Sequence, residues 1–432
     1  MTRFQAAGPL RGSLRPPADK SISHRAALFG AMSDTPVAIR NYLFAEDTLS
    51  TLNALRALGA AVDVQADELV IRGTGLHQAL GTTNELLDVG NSGTLMRLLP
   101  GWLAGQRGGR WRLDGDDSIR RRPVDRIAEP LRQMGAHVET ARGGKPPFVV
   151  EGADLQGIDY VSPVASAQVK SCVLIAGMLA HGSTSFTEPL CSRDHTERFL
   201  MRARVPFERD GTTVRVSQTD ELEMDDVIVP ADPSSAAFFV TAAAIIAGSR
   251  IVLEDVGLNW TRTAFFQIAH RMGAVVLGDL EAPHSTSAEE PVGEIDVAYA
   301  PLEAALVEGN EVPLAIDELP LVALLGVVAE GETVVRDASE LRVKETDRLA
   351  GVVEGLKGLG AEIEATEDGF VVQGTGRLRG GAFDSRGDHR MAMLGAIAGL
   401  ASEEGVDVKD MTAAAVSYPS FESDLRGLLT AS

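Results

Sequence analysis

Cysteine is scarce in this chain. Cys172 and Cys191 are the only two in 432 residues, they form no CxxC pair, and they are too few to staple a protein of this length. That usage fits a reducing compartment and excludes a disulfide framework. Long apolar runs are missing too: the stretch from Ala236 to Ala247 includes Thr241 and is too short to span a bilayer, and Met1 to Lys20 lacks the apolar core of a signal peptide. Basic residues are outnumbered, 40 Lys and Arg against 61 Asp and Glu, for a formal charge of −21. So acidic a surface repels phosphate backbones and excludes wholesale nucleic-acid binding, so an anionic ligand must find a local cationic pocket. What is present is ordinary globular material, 44% hydrophobic and 23% charged, which excludes disorder. The expectation is a soluble cytoplasmic protein of two or three domains with neither membrane nor nucleic-acid partner.

One phrase recurs: a helical run, then Leu or Met, Gly, Ala, then alternating apolar residues. It turns at Gly59, Gly135, Gly273 and Gly360, and the middle gap is twice a step of about 70 residues. A unit is therefore expected near Arg204, which replaces the glycine in HTERFLMRARVPFERDG, and the helix SFESDLRGLL ending at Leu429 supplies a sixth. A glycine after a helix can take the left-handed conformation that caps it, and the period-two pattern from Ala61 to Val64 reads as a strand. Each unit is thus a mixed α/β module with parallel and antiparallel strands. Such modules are too small to stand alone, so apolar helices such as Val173 to Leu179 and Ala236 to Ala247 are expected inside two domains of three units each.

Proline marks the passage between domains, because Pro16-Pro17 and Pro230 with Pro233 stop helices and favour extended crossings. The expected division is a discontinuous domain of residues 1–17 and 232–432, an inserted domain of residues 18–231, and a double-crossover hinge near 16–18 and 230–233. The stretch from Gly278 to Val297, rich in Glu, Pro and Ser, reads as a solvated loop.

Segments that combine cations, small hydroxyls and glycines recur at expected helix starts, where unpaired N–H groups and the dipole attract anions. DKSISHR, Asp19 to Arg25, offers serines with Lys20 and Arg25, although a capped helix with a solvated cationic end accounts for it equally well. GNSGT, Gly90 to Thr94, permits close backbone approach to a ligand but lacks the nucleotide P-loop and dinucleotide patterns; alone it is more often a tight turn. Arg120, Arg121 and Arg122 stand before Pro123, and in an acidic chain an anionic partner explains them better than a basic solvated turn. Ser162 to Ser171 places Ser166 and Gln168 for hydrogen bonding at a helix start, whereas Cys172 continues into the core. In Cys191 to Glu197, His195 and the acids suggest a metal, yet HExxH spacing and a second nearby His or Cys are missing. An anion-facing helix start with Arg193 is the better reading, and no metal is expected. Asp232 to Ser235 reads as a structural helix cap.

Three later segments carry the most information. Asp317 and Glu318 sit amid apolar residues, Leu341 to Arg348 alternates charges, and Ser385 to Arg390 adds a cation beside His389. On a helix, Lys344 and Arg348 would share a face with Glu345 beside them. A surface salt-bridge ladder would explain this. So would a site where cations hold anionic substrates while a carboxyl group moves protons.

Taken in order, DKSISHR, GNSGT, RRP, SAQVKS, RDHTE, LRVKETDRL and DHRMAM resemble the EPSP synthase family, the 3-phosphoshikimate 1-carboxyvinyltransferases, over nearly the whole chain. The resemblance implies an α/β fold, a two-domain inverse α/β barrel of six βαβαββ repeats, three per domain around a cleft. It implies transfer of the enolpyruvyl group of phosphoenolpyruvate to the 5-hydroxyl of shikimate 3-phosphate, with loss of phosphate from a tetrahedral ketal, in the shikimate pathway to chorismate and aromatic amino acids. A monomer without cofactor is expected. By motif, Lys20 would touch both substrates, and Ser21, Arg25, Ser166, Ala167, Gln168 and Arg193 would hold shikimate 3-phosphate, with Asp317 and Lys344 toward its ring. Gly93, Arg122, Gln168, Arg348 and Arg390 would line or clamp phosphoenolpyruvate. Asp317 would take the proton of the attacking hydroxyl, and Glu345 would exchange one with the methylene carbon.

The chain departs from the family at three points. Ala18 replaces the usual glycine before the DKS motif, and Ser118 and Val416 stand where one branch has an arginine and a lysine. The pattern is similar to the class II branch, in which Arg122 takes the anion-binding role, with Arg120 and Arg121 as alternatives. Gly93 leaves room that a methyl would fill, so glyphosate sensitivity is expected. The nearest rival, UDP-N-acetylglucosamine enolpyruvyl transferase, characteristically uses a mobile-loop cysteine, and Arg110 to Arg126 contains none. A non-enzymatic scaffold of six repeats, with caps in place of sites, is the alternative from a different class.

Overall fold

The recurring glycines all close helices with positive φ: +98° at Gly59, +104° at Gly135, +102° at Gly273 and +97° at Gly360. Arg204, at the degenerate position, takes the same left-handed turn with φ of +54°, so the backbone keeps the repeat where the side chain has changed. The computed structural model describes residues 1–65, 68–79 and 86–430.

A complete repeat runs strand Leu86–Asp88, helix Gly93–Ala104, strand Arg110–Asp114, helix Asp125–Gln133, then hairpin strands His137–Ala141 and Lys145–Glu151. The first strand pairs parallel with the second, the last pairs antiparallel with the second, and the third lies outermost beside the last. That βαβαββ order recurs from Asp159–Val161 to Thr213–Ser217 and from Leu306–Val307 to Phe370–Gln373. Burial alternates along the strands, as in Lys145–Glu151, so each sheet presents one face inward.

Two compact units result. One comprises Met1–Asp19, Pro230–Ser285 and Pro291–Ser432; the other comprises Lys20–Val229 with Thr286–Glu290. Each contains three sheets among the described residues, and in both the chain closes on itself through distant segments. In the inserted unit, Val227–Ile228 lies parallel to Val37–Arg40. In the discontinuous unit, Arg11–Leu14 lies parallel to Arg250–Gly257, and Thr2–Phe4 pairs antiparallel with Val406–Lys409. The proline-bearing segments lie side by side: Asp19 N donates to Pro230 O at 2.8 Å, Asp232 N donates to Pro17 O at 2.8 Å, and Ala18 bridges Ala231.

The sheets surround apolar helices. In the inserted unit the central ones are Lys20–Met32, Gly93–Ala104 and Ala167–Leu179, each buried over most of its length. The last two approach so closely that a Cβ on Gly101 would stand 2.4 Å from the Cys172 carbonyl oxygen. In the discontinuous unit, Pro233–Ile245, Leu319–Val328 and His389–Leu400 pack together in one hydrophobic cluster. Among the described residues no helix is long and apolar enough to cross a membrane.

Two sequence expectations fail. The stretch from Gly278 to Val297 is not a loop throughout: Val292–Ala298 is a strand, and Glu290 meets His195 Nδ1 at 2.6 Å. Glu289, which belongs with Glu290 to the inserted unit, pairs there with Arg202 at 2.9 Å. Leu341 to Arg348 is not one helix, because a short 3₁₀ turn, Ser339–Val343, ends before an extended Lys344, and Asp347 caps a new helix beginning at Arg348. A carboxylate that accepts the N–H of Ala350 at 2.9 Å starts a helix instead of continuing one.

Candidate functional site

Five of the sequence segments converge within the inserted unit. Lys20 begins its helix with Nζ 3.0 Å from Asp47 Oδ2, a pair largely shielded from water. One turn later Arg25 is buried, donating from Nε to Thr196 Oγ1 at 2.8 Å, from Nη2 to Ser171 Oγ at 2.9 Å and from Nη1 to the Ser21 carbonyl at 3.0 Å. These bonds join the first, fourth and fifth segments. His24 extends the join to the second: its Nδ1 lies 2.7 Å from Thr51 Oγ1 and its Nε2 3.5 Å from Ser92 Oγ. Ser92 caps the helix starting at Gly93, and Ser166 caps the one starting at Ala167.

Gln168 ties these helix starts together, with Oε1 accepting from Arg97 Nη1 at 3.1 Å and Nε2 donating to Thr94 Oγ1 at 3.1 Å. Arg97 also donates to the Gly93 carbonyl at 3.3 Å and the Pro123 carbonyl at 3.4 Å. Of the three adjacent arginines, only Arg122 is buried, and it donates to Asn91 Oδ1 and Ser118 Oγ, each at 3.4 Å. Arg120 turns to Asp114 at 2.9 Å and Arg121 is exposed. The room at Gly93 is occupied by Arg122, whose Nη1 would lie 2.3 Å from an added Cβ. Arg193 is half-buried beside the helix His195–Arg202. His195, considered above as a metal ligand, faces Glu290 instead.

The discontinuous unit gathers the remaining segments. Arg348 is 1% exposed and meets Asp317 Oδ1 at 3.1 Å, Glu345 Oε2 at 2.5 Å and Asp388 Oδ2 at 2.8 Å. Burial opposes its charge, but Asp388, Glu345 and Asp317 more than offset that and push its pKa above the usual guanidinium value. Lys344 reaches the same Asp317 oxygen at 3.2 Å although it shares no helix with Arg348. Arg390 donates to the Asp317 carbonyl at 3.2 Å and to Glu318 at 3.1 Å, and Asp388 caps its helix. Asp317 and Glu345 keep partial access to solvent. Three cations and four carboxylates thus interleave at the starts of three helices, Leu319–Val328, Arg348–Gly358 and His389–Leu400. Such a cluster can bind an anion by exchanging carboxylate partners for it, and can then offer the released carboxylates as proton acceptors.

Sequence reading missed several members. Arg97, Ser171 and Thr196 lie inside or one turn beyond segments already singled out, so helical spacing from Gly93 and Ser166 would have reached the first two, and Thr196 lies at the start of the helix that follows Arg193. Asp47 carries no such signal, because its approach to Lys20 depends on packing across 27 residues of sequence. Glu318 was grouped with Asp317 but given no separate part; it is buried between Arg390 and Ser234 Oγ.

The EPSP synthase (3-phosphoshikimate 1-carboxyvinyltransferase) family matches residues 4–425. The 3-phosphoshikimate 1-carboxyvinyltransferase of Bacillus subtilis (strain 168) is 46% identical over 422 residues, 97% of each chain. That of Bacillus licheniformis is 46% identical over 415 residues, covering 95% of this chain and 96% of its own. Among solved structures, EPSP synthase from Acinetobacter baumannii superposes with a TM-score of 0.85 at 38% identity, over 99% of this chain and 97% of that one. The enolpyruvyl transferase NikO from Streptomyces tendae shares the fold alone, with a TM-score of 0.79 at 19% identity.

Proposed function

The chain belongs to the EPSP synthase family, and on that premise we propose how its two residue sets divide the reaction. The enzyme transfers the enolpyruvyl group of phosphoenolpyruvate to the 5-hydroxyl of shikimate 3-phosphate, releasing phosphate, in the shikimate pathway. In our reading it does so as a cytoplasmic monomer.

The inserted unit supplies the anion holders. Ser21, Arg25, Ser166, Ala167, Gln168 and Arg193 hold shikimate 3-phosphate, where helix starts add N–H donors to the cations. Lys20 touches both substrates, and Arg122 beside Gly93 contributes to the phosphoenolpyruvate pocket, with glyphosate sensitivity belonging to the same reading. The discontinuous unit supplies Arg348 and Arg390 to phosphoenolpyruvate and Lys344 toward the shikimate ring. As the hydroxyl oxygen attacks the substituted carbon of phosphoenolpyruvate, Asp317 takes its proton and Glu345 gives one to the methylene carbon, producing the ketal. Glu345 then recovers a proton from the new methyl group as the carbon–oxygen bond to phosphate breaks. Cations fixed in place before the reaction stabilise the departing phosphate without reorganising.

The observation that carries this reading is the meeting of Lys344 and Arg348 on one oxygen of Asp317, with Glu345 on the same guanidinium. It joins the two groups proposed for proton transfer to a cation proposed for phosphoenolpyruvate and one proposed for the shikimate ring in a single contact network. The test is phosphate release from the purified protein. Release should require shikimate 3-phosphate and phosphoenolpyruvate together and should persist with a chelator. Release from phosphoenolpyruvate alone, or only with UDP-N-acetylglucosamine, would overturn it.

A further inference from the structure

Next to the hydroxyl pair that receives Arg25 lies an ionic cluster that no step above employs. Lys170 is 1% exposed, and its Nζ stands 2.9 Å from Glu188 Oε1 and 2.7 Å from Glu197 Oε1, both carboxylates being equally buried. Burial opposes the ammonium charge, but Glu197 and Glu188 together raise its pKa above the ordinary lysine value. The cluster therefore buries one positive and two negative charges. A trio of apolar side chains would join the same elements without desolvating three ions, so cohesion alone does not explain it.

Its connections point to a different role. Lys170 and Ser171 are consecutive on the helix capped by Ser166, and Glu197 and Thr196 are consecutive at the start of the helix His195–Arg202. The two helices are thus joined by two adjacent rungs: the hydroxyls of Ser171 and Thr196, 2.6 Å apart, which receive Arg25, and the ion pair of Lys170 with Glu197. Glu188 carries the second rung onward, accepting Ser192 N at 2.9 Å and Ser192 Oγ at 2.6 Å. Arg193 follows Ser192 directly. One ammonium group therefore holds both ends of the loop 188–197 in register with the helix start bearing Ser166 and Gln168.

We propose that Lys170 is a positioning residue for the phosphorylated substrate. Through Glu188 and Glu197 it fixes Arg193 relative to Ser166 and Arg25, and so sets affinity for shikimate 3-phosphate while leaving phosphoenolpyruvate and the chemical step largely untouched. The inference rests on the substrate assignment made above for Arg25 and Arg193.

The test compares Lys170→Met, Lys170→Arg and the neutral triple variant Lys170→Met, Glu188→Gln, Glu197→Gln with Arg193→Ala, by steady-state kinetics in both substrates and by thermal melting. The triple variant matters because Lys170→Met alone leaves two buried carboxylates and can fail to fold for that reason. Whichever neutralised variants fold should raise KM for shikimate 3-phosphate by about tenfold or more. Saturating kcat and KM for phosphoenolpyruvate should stay within about threefold, and Lys170→Arg should fall between wild type and Met. Unchanged KM for shikimate 3-phosphate in a folded neutral variant would overturn the proposal. So would a uniform decline of all parameters, or failure of every Lys170 variant to fold, which would make the cluster purely structural. If Arg193→Ala itself leaves KM for shikimate 3-phosphate unchanged, the underlying assignment has failed; if only the Lys170 variants leave it unchanged, the positioning role has.

Discussion

Glu345 holds its carboxylate 2.5 Å from Arg348, a guanidinium already contacted by Asp317 and Asp388. The role proposed for it, shuttling protons to carbon, requires it to leave that cation, and its partial solvent access permits it. Glu345→Gln keeps an acceptor for Arg348 and the same shape, so both substrates should bind with near-normal dissociation constants by calorimetry. Turnover should fall by about 10²- to 10⁴-fold, the usual contribution of one positioned acid–base group. A variant with near-normal kcat would remove Glu345 from proton transfer. At this scale much of the site was legible. Asp317 stood out as an acid amid apolar residues, Lys344, Glu345 and Arg348 as alternating charges and Arg390 as a cation beside His389, and the structure brings them into one contact network. Asp47 did not stand out, because a lone acid carries no signal of what it will face, and Glu318 stood out only beside Asp317, since its partner Ser234 is remote in sequence.

The elements that carry these residues begin where the sequence says they should. Ser92, Ser166, Asp232 and Asp388 each accept a backbone N–H in the first turn of a helix, a local interaction worth about 1 kcal/mol that sequence reveals directly. The failure at Leu341 to Arg348 has the same origin, since Asp347 caps a helix that periodicity alone would have started earlier. One consequence belongs to the helix start at Gly93. A side chain there would meet Arg122 Nη1 at 2.3 Å and Arg97 Nη1 at 3.0 Å, both far ends of flexible groups, so Gly93→Ala should fold while displacing the arginines. KM for phosphoenolpyruvate should rise by about tenfold, and Arg122→Ala should do the same, since each costs roughly one charge-assisted hydrogen bond. Arg120→Ala and Arg121→Ala should stay within about twofold of wild type, because Arg120 turns its exposed end to Asp114 and away from Gly93, and Arg121 is exposed. Equal losses for all three arginines would deny Arg122 its special position.

For the whole molecule, the repeat count was legible because a left-handed turn after a helix is a local event marked by glycine. The closure of the discontinuous unit was less so: the pairing of Thr2–Phe4 with Val406–Lys409 joins strands about as far apart as the chain allows, and strand periodicity carries no partner information. The same unit holds a pH-sensitive element where its two proline-bearing segments meet. Asp232 is buried, and burial together with Asp19 raises its pKa to about 6 against the opposing pull of Arg262 and Arg390. Arg262 donates to Asp232 at 2.9 Å and lies 3.4 Å from Asp19. Because the folded protein binds this proton more tightly than the unfolded chain, folding takes one up between about pH 4 and 6, and stability from this group declines as pH rises through that window. At neutral pH the penalty is at most about 3 kcal/mol, from a shift of roughly two units. Asp232→Asn removes the titration but keeps an acceptor for Ser234 N and Arg262. Its melting temperature relative to wild type should therefore be higher at about pH 7.5 than at about pH 4.5. A difference that stays constant across that range would show that Asp232 is ionised in the folded protein throughout, with Arg262 and Arg390 outweighing burial and Asp19.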